Sequence, residues 1–525
     1  MNDEVKILKH YLVIDCGTGS GRTILFDEAG NEIAMSQREW KHMNYSDVEG
    51  AIDFDTKTNW PLIKEIIKET IEKSGVDAET IVAVSASSMR EGMVLYNASG
   101  EEVWACSNID ARAGIEVEEL IATGLEMDIY NYTGQTFSLS DAPRILWVKK
   151  NLPEVYEQTH KLGMISDWVL FKLCGKYTIE PTNGSTSGIF DTFRREWNGE
   201  IISKLELKDD IYPEVHEPGD IVGFISVELS KELKLSPETK IIVGGGDVQL
   251  GTIGVGAVKE NDAVIFGGTF WQQEVNVKNP VPDKNARVRI NSHGIKTLFQ
   301  YEGIAFQVGL VMRWFRDALC RSEKKTADEL GISAYSLLTE MSKSVPAGSY
   351  GIIPIFSDIM NYMHWKHSTP AFIGMNINEP EKYNKAAMFK ALMENAAFLS
   401  LGNLKLIQEI TGFFPETITF AGGASYSPEW CKILANVLGI PVKVPKVKEA
   451  TSFGVLLTCL VGMGEYESFE EAADTLCTTE AVYYPDRAAH KEYKFYYKKW
   501  KDVYKKMLNI TDTENLNHMW KAPGE

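Results

Sequence analysis

The sequence has few cysteines and no long apolar run. Its seven cysteines are dispersed among 525 residues and none forms a CxxC pair, which argues against a disulfide framework and favours reduced thiols in the cytoplasm. A membrane span needs about eighteen consecutive apolar residues, and no such stretch occurs. The first residues also lack the pattern of a secretory signal peptide. We therefore expect a cytoplasmic protein.

The chain is also short of positive charge. It has 54 Lys and Arg against 73 Asp and Glu, a formal net charge of −19. This acidic balance argues against nucleic acid or an anionic membrane as the main partner. A phosphate ligand would have to be held by local groups or by a metal ion. The length predicts two or more domains.

The beginning of the chain predicts an α/β fold that opens with an antiparallel meander. Alternating or apolar segments predict strands at 11–15, 22–27 and 32–40, and a buried strand at 81–86. Between them, apolar residues at helical spacing predict a helix over 58–75. We expect Asn59 to cap this helix, Pro61 to lie in its first turn and Gly75 to end it.

A similar order of elements returns near residue 263. Strands are predicted at 263–268, 271–277, 417–423 and 441–445, and helices at 384–411 and 427–439. The second half is therefore predicted to be a diverged copy of the first. The predicted domains are residues 1–258 and 259–525. The last part should hold a long helix over 490–508 and then an irregular tail.

The Gly-rich loop DCGTGSGR, residues 15–22, admits several interpretations. A dinucleotide-binding fingerprint needs GxGxxG at the start of a helix, whereas here GxGxG precedes the strand RTILFD. A Walker-type loop fails because GK[ST] is absent. A β-hairpin turn whose backbone N–H groups and hydroxyls hold phosphate remains, and so does a plain Gly-rich hairpin without a ligand.

Other segments favour the phosphate-binding hairpin. GGTFWQ at 267–272 is a second Gly-and-Thr turn between strands, and AGGASYSPEW at 421–430 joins a strand to a helix. GGGDVQ at 244–249 places Asp247 after a strand, beside the expected cleft between the domains. Asp247 could be a solvated loop residue, but phosphate turns in both halves favour a catalytic role.

Two repeats that each open with a phosphate-binding hairpin resemble the actin–hexokinase superfamily, and the motif order resembles the FGGY carbohydrate kinases. The matching segments are DCGTGSGR, SMREG, WACSNIDAR, SDW, GGGDVQ, GGTF and AGGASYSPEW. The resemblance implies two ribonuclease H-like α/β domains around a nucleotide cleft, with a small-molecule substrate, ATP as co-substrate and Mg²⁺ as metal. GGTFWQQ, MRWFRDA, IPIFSD, VKEAT and the terminal WKAPG are similar to family members that phosphorylate the terminal hydroxyl of linear 4,5-dihydroxy-2,3-pentanedione, a quorum-sensing signal.

The resemblance also implies roles for single residues. Asp247 would be the catalytic base, and Asp15 would orient Mg²⁺ through water. The implied ATP contacts are Gly17, Thr18, Ser20, Arg22, Gly268, Thr269, Gly309, Arg313, Gly422 and Gly423. The implied substrate contacts are Arg90, Glu91, Trp104, Asp110, Arg112, Asp247 and Gln249. Ordinary core packing is an alternative for Trp104, and a surface ion pair is an alternative for Arg90 and Glu91.

Two positions depart from the family pattern, and the second bears on the substrate. Position 19 is glycine where the hairpin often carries a hydroxyl residue, and Val248 stands where glycerol kinases have a glutamine. Val248 argues against glycerol and suits a dicarbonyl acceptor. A kinase of a pentulose or another sugar or polyol remains an alternative. A non-catalytic binding protein that is switched by ATP is a further alternative. Asp247, Arg90 and Glu91 argue against it. Either kind of protein is expected to close its cleft on binding.

Overall fold

The computed structural model describes residues 8–525 except 45, 46, 139 and 269. Its first half contains the strands β1 (His10–Cys16), β2 (Ser20–Asp27), β3 (Glu32–Glu39), β4 (His42–Asn44), β5 (Ile52–Phe54), β6 (Ile81–Ser88), β7 (Met93–Tyr96), β8 (Glu102–Cys106), β9 (Lys161–Met164), β10 (Phe190–Asp191), β11 (Glu196–Trp197), β12 (Ile221–Phe224) and β13 (Lys240–Gly246). Its helices are α1 (Thr56–Ser74), α2 (Gly114–Ala122), α3 (Glu126–Thr133), α4 (Asp141–Asn151), α5 (Pro153–Gln158), α6 (Ile165–Cys174), α7 (Pro181–Gly184), α8 (Gly199–Lys204), α9 (Val227–Leu233) and α10 (Asp247–Gly254).

The second half repeats the alternation of strands and helices. Its strands are β14 (Ala263–Gly267), β15 (Trp271–Val277), β16 (Arg289–Ser292), β17 (Phe299–Ala305), β18 (Ile353–Ile355), β19 (Lys366–His367), β20 (Ala371–Ile373), β21 (Ile418–Ala421), β22 (Val442–Pro445), β23 (Thr479–Tyr483) and β24 (Trp520–Lys521). Its helices are α11 (Val308–Leu319), α12 (Arg321–Leu330), α13 (Ala334–Ser342), α14 (Lys385–Thr411), α15 (Pro428–Leu438), α16 (Ala450–Gly462), α17 (Phe469–Leu476) and α18 (Arg487–Thr513).

Helix α1 shows how local sequence sets an element and where our prediction of its start is wrong. The side chain of Asp55 accepts a hydrogen bond from the Thr58 N–H and caps the helix. Asn59 instead lies buried inside the helix and bonds to the backbone of Lys41. Pro61 therefore falls in the second turn, while Gly75 ends the helix in the left-handed conformation, as predicted.

The two large sheets have matching strand orders. The first runs β12-β13-β6-β1-β2-β3, and the second contains the run β23-β22-β21-β14-β15-β17, with β16 at its far edge. In both, an antiparallel hairpin is followed by two strands parallel to its first strand. The internal repeat predicted from the sequence is thus present strand by strand. A further five-stranded sheet, β4-β5-β8-β7-β9, lies within the first half.

Two equivalent helices join the halves. Each of α10 and α16 follows the last parallel strand of its own sheet, and they cross at glycines. A Cβ at Gly254 would lie 2.0 Å from the carbonyl oxygen of Ala450, and one at Gly454 would lie 1.8 Å from that of Leu250, so neither position has room for a side chain. Phe453 and neighbouring residues of α16 also pack against the first sheet. The division between residues 258 and 259 stays a prediction.

The end of the chain differs from the predicted irregular tail. Helix α18 is longer than predicted, and the chain then turns back to form β24, which pairs antiparallel with β19. Among the described residues, no helix is long and apolar enough to cross a membrane.

Candidate active site

A cavity of about 330 Å³ opens between the two halves. Its first-half wall contains Thr18, Arg90, Glu91, Asp110 and Asp247, and its second-half wall contains Phe270, Gln272, Arg289, Phe306 and Gln307. Thr18 and four of the seven predicted substrate contacts therefore line one cavity. Trp104, Arg112 and Gln249 are not among its lining residues.

Strand register explains why acidic and hydroxyl residues meet at this edge of the first sheet. Asp15 of β1 lies opposite Ser87 of β6, which in turn lies opposite Gly245 of β13. Asp247 follows two residues later as the first residue of α10. The carboxyl ends of parallel strands form the usual ligand-binding edge of an α/β sheet.

Asp15 is suited to a cation but does not form a metal cluster. Its Oδ1 accepts a hydrogen bond of 2.8 Å from the Ser87 hydroxyl, and burial raises the pKa of its carboxyl although that bond and Arg22 oppose the rise. Within the described part of the chain, no three His, Cys, Asp or Glu side chains gather as metal ligands. A single carboxylate fits Mg²⁺, which keeps several waters.

The first hairpin turn, residues 17–19, is held by hydrogen bonds from residues outside the turn. The indole N–H of Trp40 donates to the Gly17 carbonyl at 2.6 Å, and the backbone N–H of Trp40 donates to the Gly19 carbonyl at 3.0 Å. Thr18 Oγ1 accepts from the Asn108 amide at 3.0 Å, and Ser20 Oγ accepts from the Gln37 amide at 2.8 Å. Both predicted hydroxyl donors thus keep their own O–H for another acceptor.

Arg22 lies on β2 and reaches the second half. Its Nη1 donates to Glu449, the residue that precedes α16. In the second hairpin, the Gly268 N–H donates to the carbonyl of Phe270 at 3.1 Å, so it is used within its own turn. Thr269, the other predicted ligand there, lies outside the described residues.

Asp247 has the environment of a proton acceptor. Its Oδ1 accepts from the Val248 N–H at 2.8 Å, and its carbonyl accepts from the Thr451 hydroxyl at 3.0 Å. Burial raises the pKa of Asp247 to about 7; Arg90 opposes this rise, while the negative charge of Asp15 adds to it. A carboxyl with a pKa near neutrality is matched to general base catalysis at physiological pH.

Arg90 is buried and Glu91 is half-buried in an ionic network that joins the halves. Arg90 binds both carboxylate oxygens of Glu302 on β17, at 2.6 and 2.7 Å, and Glu91 accepts from Arg289 on β16 at 2.6 Å. The alternative of a surface ion pair is therefore wrong for Arg90, which is 4% exposed. Burial opposes ionisation of Glu302, but Arg90 and Arg289 lower its pKa to about 2.

The remaining predicted substrate residues mostly support others. Arg112 donates to Asp110 at 2.7 Å, and its guanidinium lies 5.1 Å from the centre of the Trp104 ring. Trp104 is 7% exposed within the hydrophobic core of the first half, which agrees with the packing alternative. Gln249 is fully buried on α10, away from the cavity lining.

A second pocket of about 530 Å³ lies in the second half, where the sequence predicts adenosine binding. It is lined by Tyr335 of α13 and by Gly423, Tyr426 and Ser427 at the start of α15. Gly422 has φ 85°, and a Cβ there would lie 2.8 Å from the Gly267 carbonyl, so only glycine fits beside the second hairpin.

The two predicted ATP contacts on α11 lie apart from this pocket's lining. Gly309 lies in the first turn of α11, after the cavity residue Gln307, and Arg313 is exposed one turn later. The same helix carries Arg316, whose guanidinium lies 5.1 Å from the centre of the Tyr335 ring.

Sequence reasoning missed much of the second-half wall. Arg289, Phe306 and Trp365 line this wall but belong to no quoted motif, and neither does Glu302, the partner of Arg90. Phe270 lies in the GGTF motif, where only Gly268 and Thr269 were predicted as contacts. Trp520 also lines the cavity, and only its place in the terminal WKAPG segment could have drawn attention to it.

Comparison with protein families agrees with this geometry. The N-terminal domain model of the FGGY family of carbohydrate kinases matches residues 10–254, and the C-terminal domain model matches residues 273–463. The chain belongs to the FGGY family of carbohydrate kinases. It is therefore an ATP-dependent phosphotransferase with an alcohol group as acceptor.

Curated relatives of this FGGY kinase match almost its whole length. It is 43% identical over 518 residues to autoinducer-2 kinase of Yersinia enterocolitica and 43% identical over 520 residues to autoinducer-2 kinase of Escherichia coli. Each alignment covers 98% of this chain and 98% of the relative.

Solved structures share the fold of this FGGY kinase at low identity. Ligand-bound xylulose kinase from Lactobacillus acidophilus has a TM-score of 0.84 at 21% identity, over 96% of this chain and 99% of that one. Glycerol kinase from Plasmodium falciparum with ADP has a TM-score of 0.83 at 19% identity, over 95% and 98%. The two-domain α/β architecture with mixed sheets is the one predicted from the resemblance to the actin–hexokinase superfamily.

Proposed function

We propose that this FGGY kinase transfers the γ-phosphoryl group of ATP to the terminal hydroxyl of autoinducer-2, in its linear form 4,5-dihydroxy-2,3-pentanedione. The observation that carries the proposal is the 43% identity to autoinducer-2 kinases over nearly the whole chain. The cavity supports it: at about 330 Å³ it suits a small acceptor, and it is lined by a candidate base, Asp247, and by aromatic residues.

Asp247 is the proposed general base. It would accept the proton of the acceptor's terminal hydroxyl as that oxygen attacks phosphorus. Its raised pKa keeps a substantial share of carboxylate at neutral pH while making it a better proton acceptor than an ordinary Asp. Arg90 and Glu91 would hold the carbonyl and hydroxyl oxygens of the acceptor.

The hairpin ends are the proposed phosphate contacts. Thr18 and Ser20 would donate their hydroxyl protons to phosphate oxygens, and Arg22 would turn from Glu449 towards the terminal phosphate. Asp15 would hold Mg²⁺ through water, and Mg²⁺, when bound, neutralises phosphate charge. The pocket that contains Gly423 and Tyr426 is the proposed adenosine site.

Val248 supports the choice of acceptor. It lines the cavity next to the base and offers no side-chain hydrogen bond. A polyol hydroxyl placed there would lose its bonds to water without replacement, whereas the carbon chain of a dicarbonyl compound would not.

An acceptor panel tests the proposal. Purified protein with Mg²⁺ and ATP should release ADP with 4,5-dihydroxy-2,3-pentanedione and form its monophosphate, identified by mass spectrometry. Xylulose, ribulose and glycerol should each give at least about tenfold lower kcat/KM, the scale on which hydrogen-bonding mismatches discriminate substrates. Activity on a pentulose with none on the dione would disprove the proposed substrate.

A further inference from the structure

Part of the cavity wall comes from the end of the chain. Trp520 and Pro523 line the cavity beside Trp365. Both residues lie beyond residue 463, where the match to the family's C-terminal model ends. The acceptor site is thus completed by a segment outside the part of the chain that the family models match. We call residues 518–525 the terminal strap.

The terminal strap is fixed by backbone hydrogen bonds. Strand β24 pairs with β19, which places Trp520 opposite His367. The Met519 N–H donates to the Ser368 carbonyl at 3.2 Å, and the Ala522 N–H donates to the Trp365 carbonyl at 2.9 Å. The strap therefore has a defined register on the second half.

Its tryptophan extends a row of aromatic rings. The centre of the Trp520 ring lies 4.3 Å from that of Phe306 and 5.1 Å from that of Trp365. Phe306 in turn lies 5.1 Å from Phe270. The rings of this row line the same cavity as Arg90, Glu91 and Asp247 of the first half.

The last residues of the terminal strap reach the first half. Gly524 has φ 87°, and a Cβ there would lie 2.7 Å from Cγ1 of Val117 on α2. Glu525 stays in contact with the second half, because its Oε1 lies 2.9 Å from Nδ1 of His364, just before β19. The strap therefore spans from the second half to the first across one end of the cavity.

We propose that the terminal strap is a specificity element of the acceptor site, in which Trp520 selects a short acceptor with few hydroxyl groups over a polyol. The flat ring packs against a carbon chain but cannot satisfy several hydroxyls, which would be buried without partners. The identity of the preferred acceptor and the direction of the selection rest on the proposed function; the participation of the strap in acceptor selection does not.

Trp520→Ala tests this role. Its kcat/KM for the preferred acceptor should fall at least about tenfold, as expected when a large apolar contact is lost from a substrate pocket. The KM for ATP should stay within about twofold, and the preference over xylulose, ribulose and glycerol should narrow. Lys521→Ala is the matched control, because Lys521 is the exposed neighbour on the same short strand and should leave all these values unchanged.

Two further variants separate specificity from folding. Trp520→Phe should retain most acceptor selectivity, and a melting temperature close to wild type in each variant shows that the fold persists. Gly524→Val would collide with Val117 and needs an unfavourable φ, so it should displace the strap and reproduce the acceptor defect. If Trp520→Ala and Gly524→Val both keep wild-type acceptor kcat/KM and panel ratios, the proposal is wrong. If wild type prefers a pentulose, the proposed function and the selection against polyols both fail, and the change in panel ratios in Trp520→Ala still decides whether the strap takes part in acceptor selection.

Discussion

The two halves of this kinase share a strand order but differ at the same edge of the sheet. In the first half, the helix after the last parallel strand begins with Asp247, which faces the cavity. In the second half, the equivalent helix is preceded by Glu449, which pairs with Arg22. One repeat thus presents a carboxyl with a pKa of about 7 to the cavity, while the other uses its acid to join the halves.

The hairpins of the two halves also differ in the contacts that their residues make. The first carries Thr18 and Ser20, whose hydroxyls accept bonds from neighbouring amides and keep a proton to donate. The second lies against Gly422, whose neighbour Gly423 lines the pocket of about 530 Å³. The two halves thus share a strand order but carry different residues at their strand ends.

The largest expected effect on the reaction comes from replacing Asp247. Asp247→Asn keeps the size of the side chain but removes the base, so kcat should fall by about 10²–10⁴-fold. ATP binding, measured by calorimetry or a fluorescent analogue, should persist because the nucleotide contacts lie elsewhere.

Glu449→Gln is the control that the comparison supplies. Because Glu449 contacts Arg22 and not the cavity, its loss should lower kcat less than about tenfold, well below the range typical of a missing base. Equal damage by both variants would break the distinction between the two acids.

The next largest effect is expected when the ionic network between the halves is broken. Arg90→Met would leave Glu302 buried beside Glu274, whose pKa is raised well above its usual value by burial and by the Glu302 charge. Removing one partner of a buried ion pair costs about 3–5 kcal/mol, so the melting temperature should fall and acceptor KM should rise.

Lys259→Met is the matched control for Arg90→Met. Lys259 pairs with Asp474 at 3.0 Å, but both side chains are largely exposed, and such pairs contribute little to stability. Its melting temperature should stay near wild type. A similar loss in both variants would show that the buried network does not hold the halves together.

The sequence predicted features that depend on neighbouring residues, but not contacts between residues that lie far apart along the chain. Alternation over a few residues predicted the hairpins of β1–β2 and β14–β15, and an apolar run followed by glycines placed Asp247 at a strand end. Glu302 was not predictable in this way, since its partner Arg90 is 212 residues away. Trp520 joins the site through a two-residue strand pairing that leaves no periodic pattern.

The pH dependence of the reaction gives a smaller effect that sharpens the role of Asp247. The base works as carboxylate, so kcat/KM should fall about tenfold per pH unit below a midpoint near pH 7 and level off above it. Arg90 opposes the raised pKa, so Arg90→Met should move this midpoint to higher pH. A rate that is flat between pH 5.5 and about 8, while circular dichroism shows the fold intact, would rule out Asp247 as the titrating base.

The smallest effect concerns two glycines of the first hairpin. A Cβ at Gly19 would meet nothing within 4 Å, whereas one at Gly21 would lie 2.4 Å from Trp40. Gly21→Ala should destabilise the protein by about 1–3 kcal/mol, the usual cost of overpacking. Gly19→Ser should leave the melting temperature unchanged and lower the KM for ATP by about threefold or less, because one added hydroxyl bond to phosphate has a modest net value. An unchanged KM would mean that position 19 does not face phosphate.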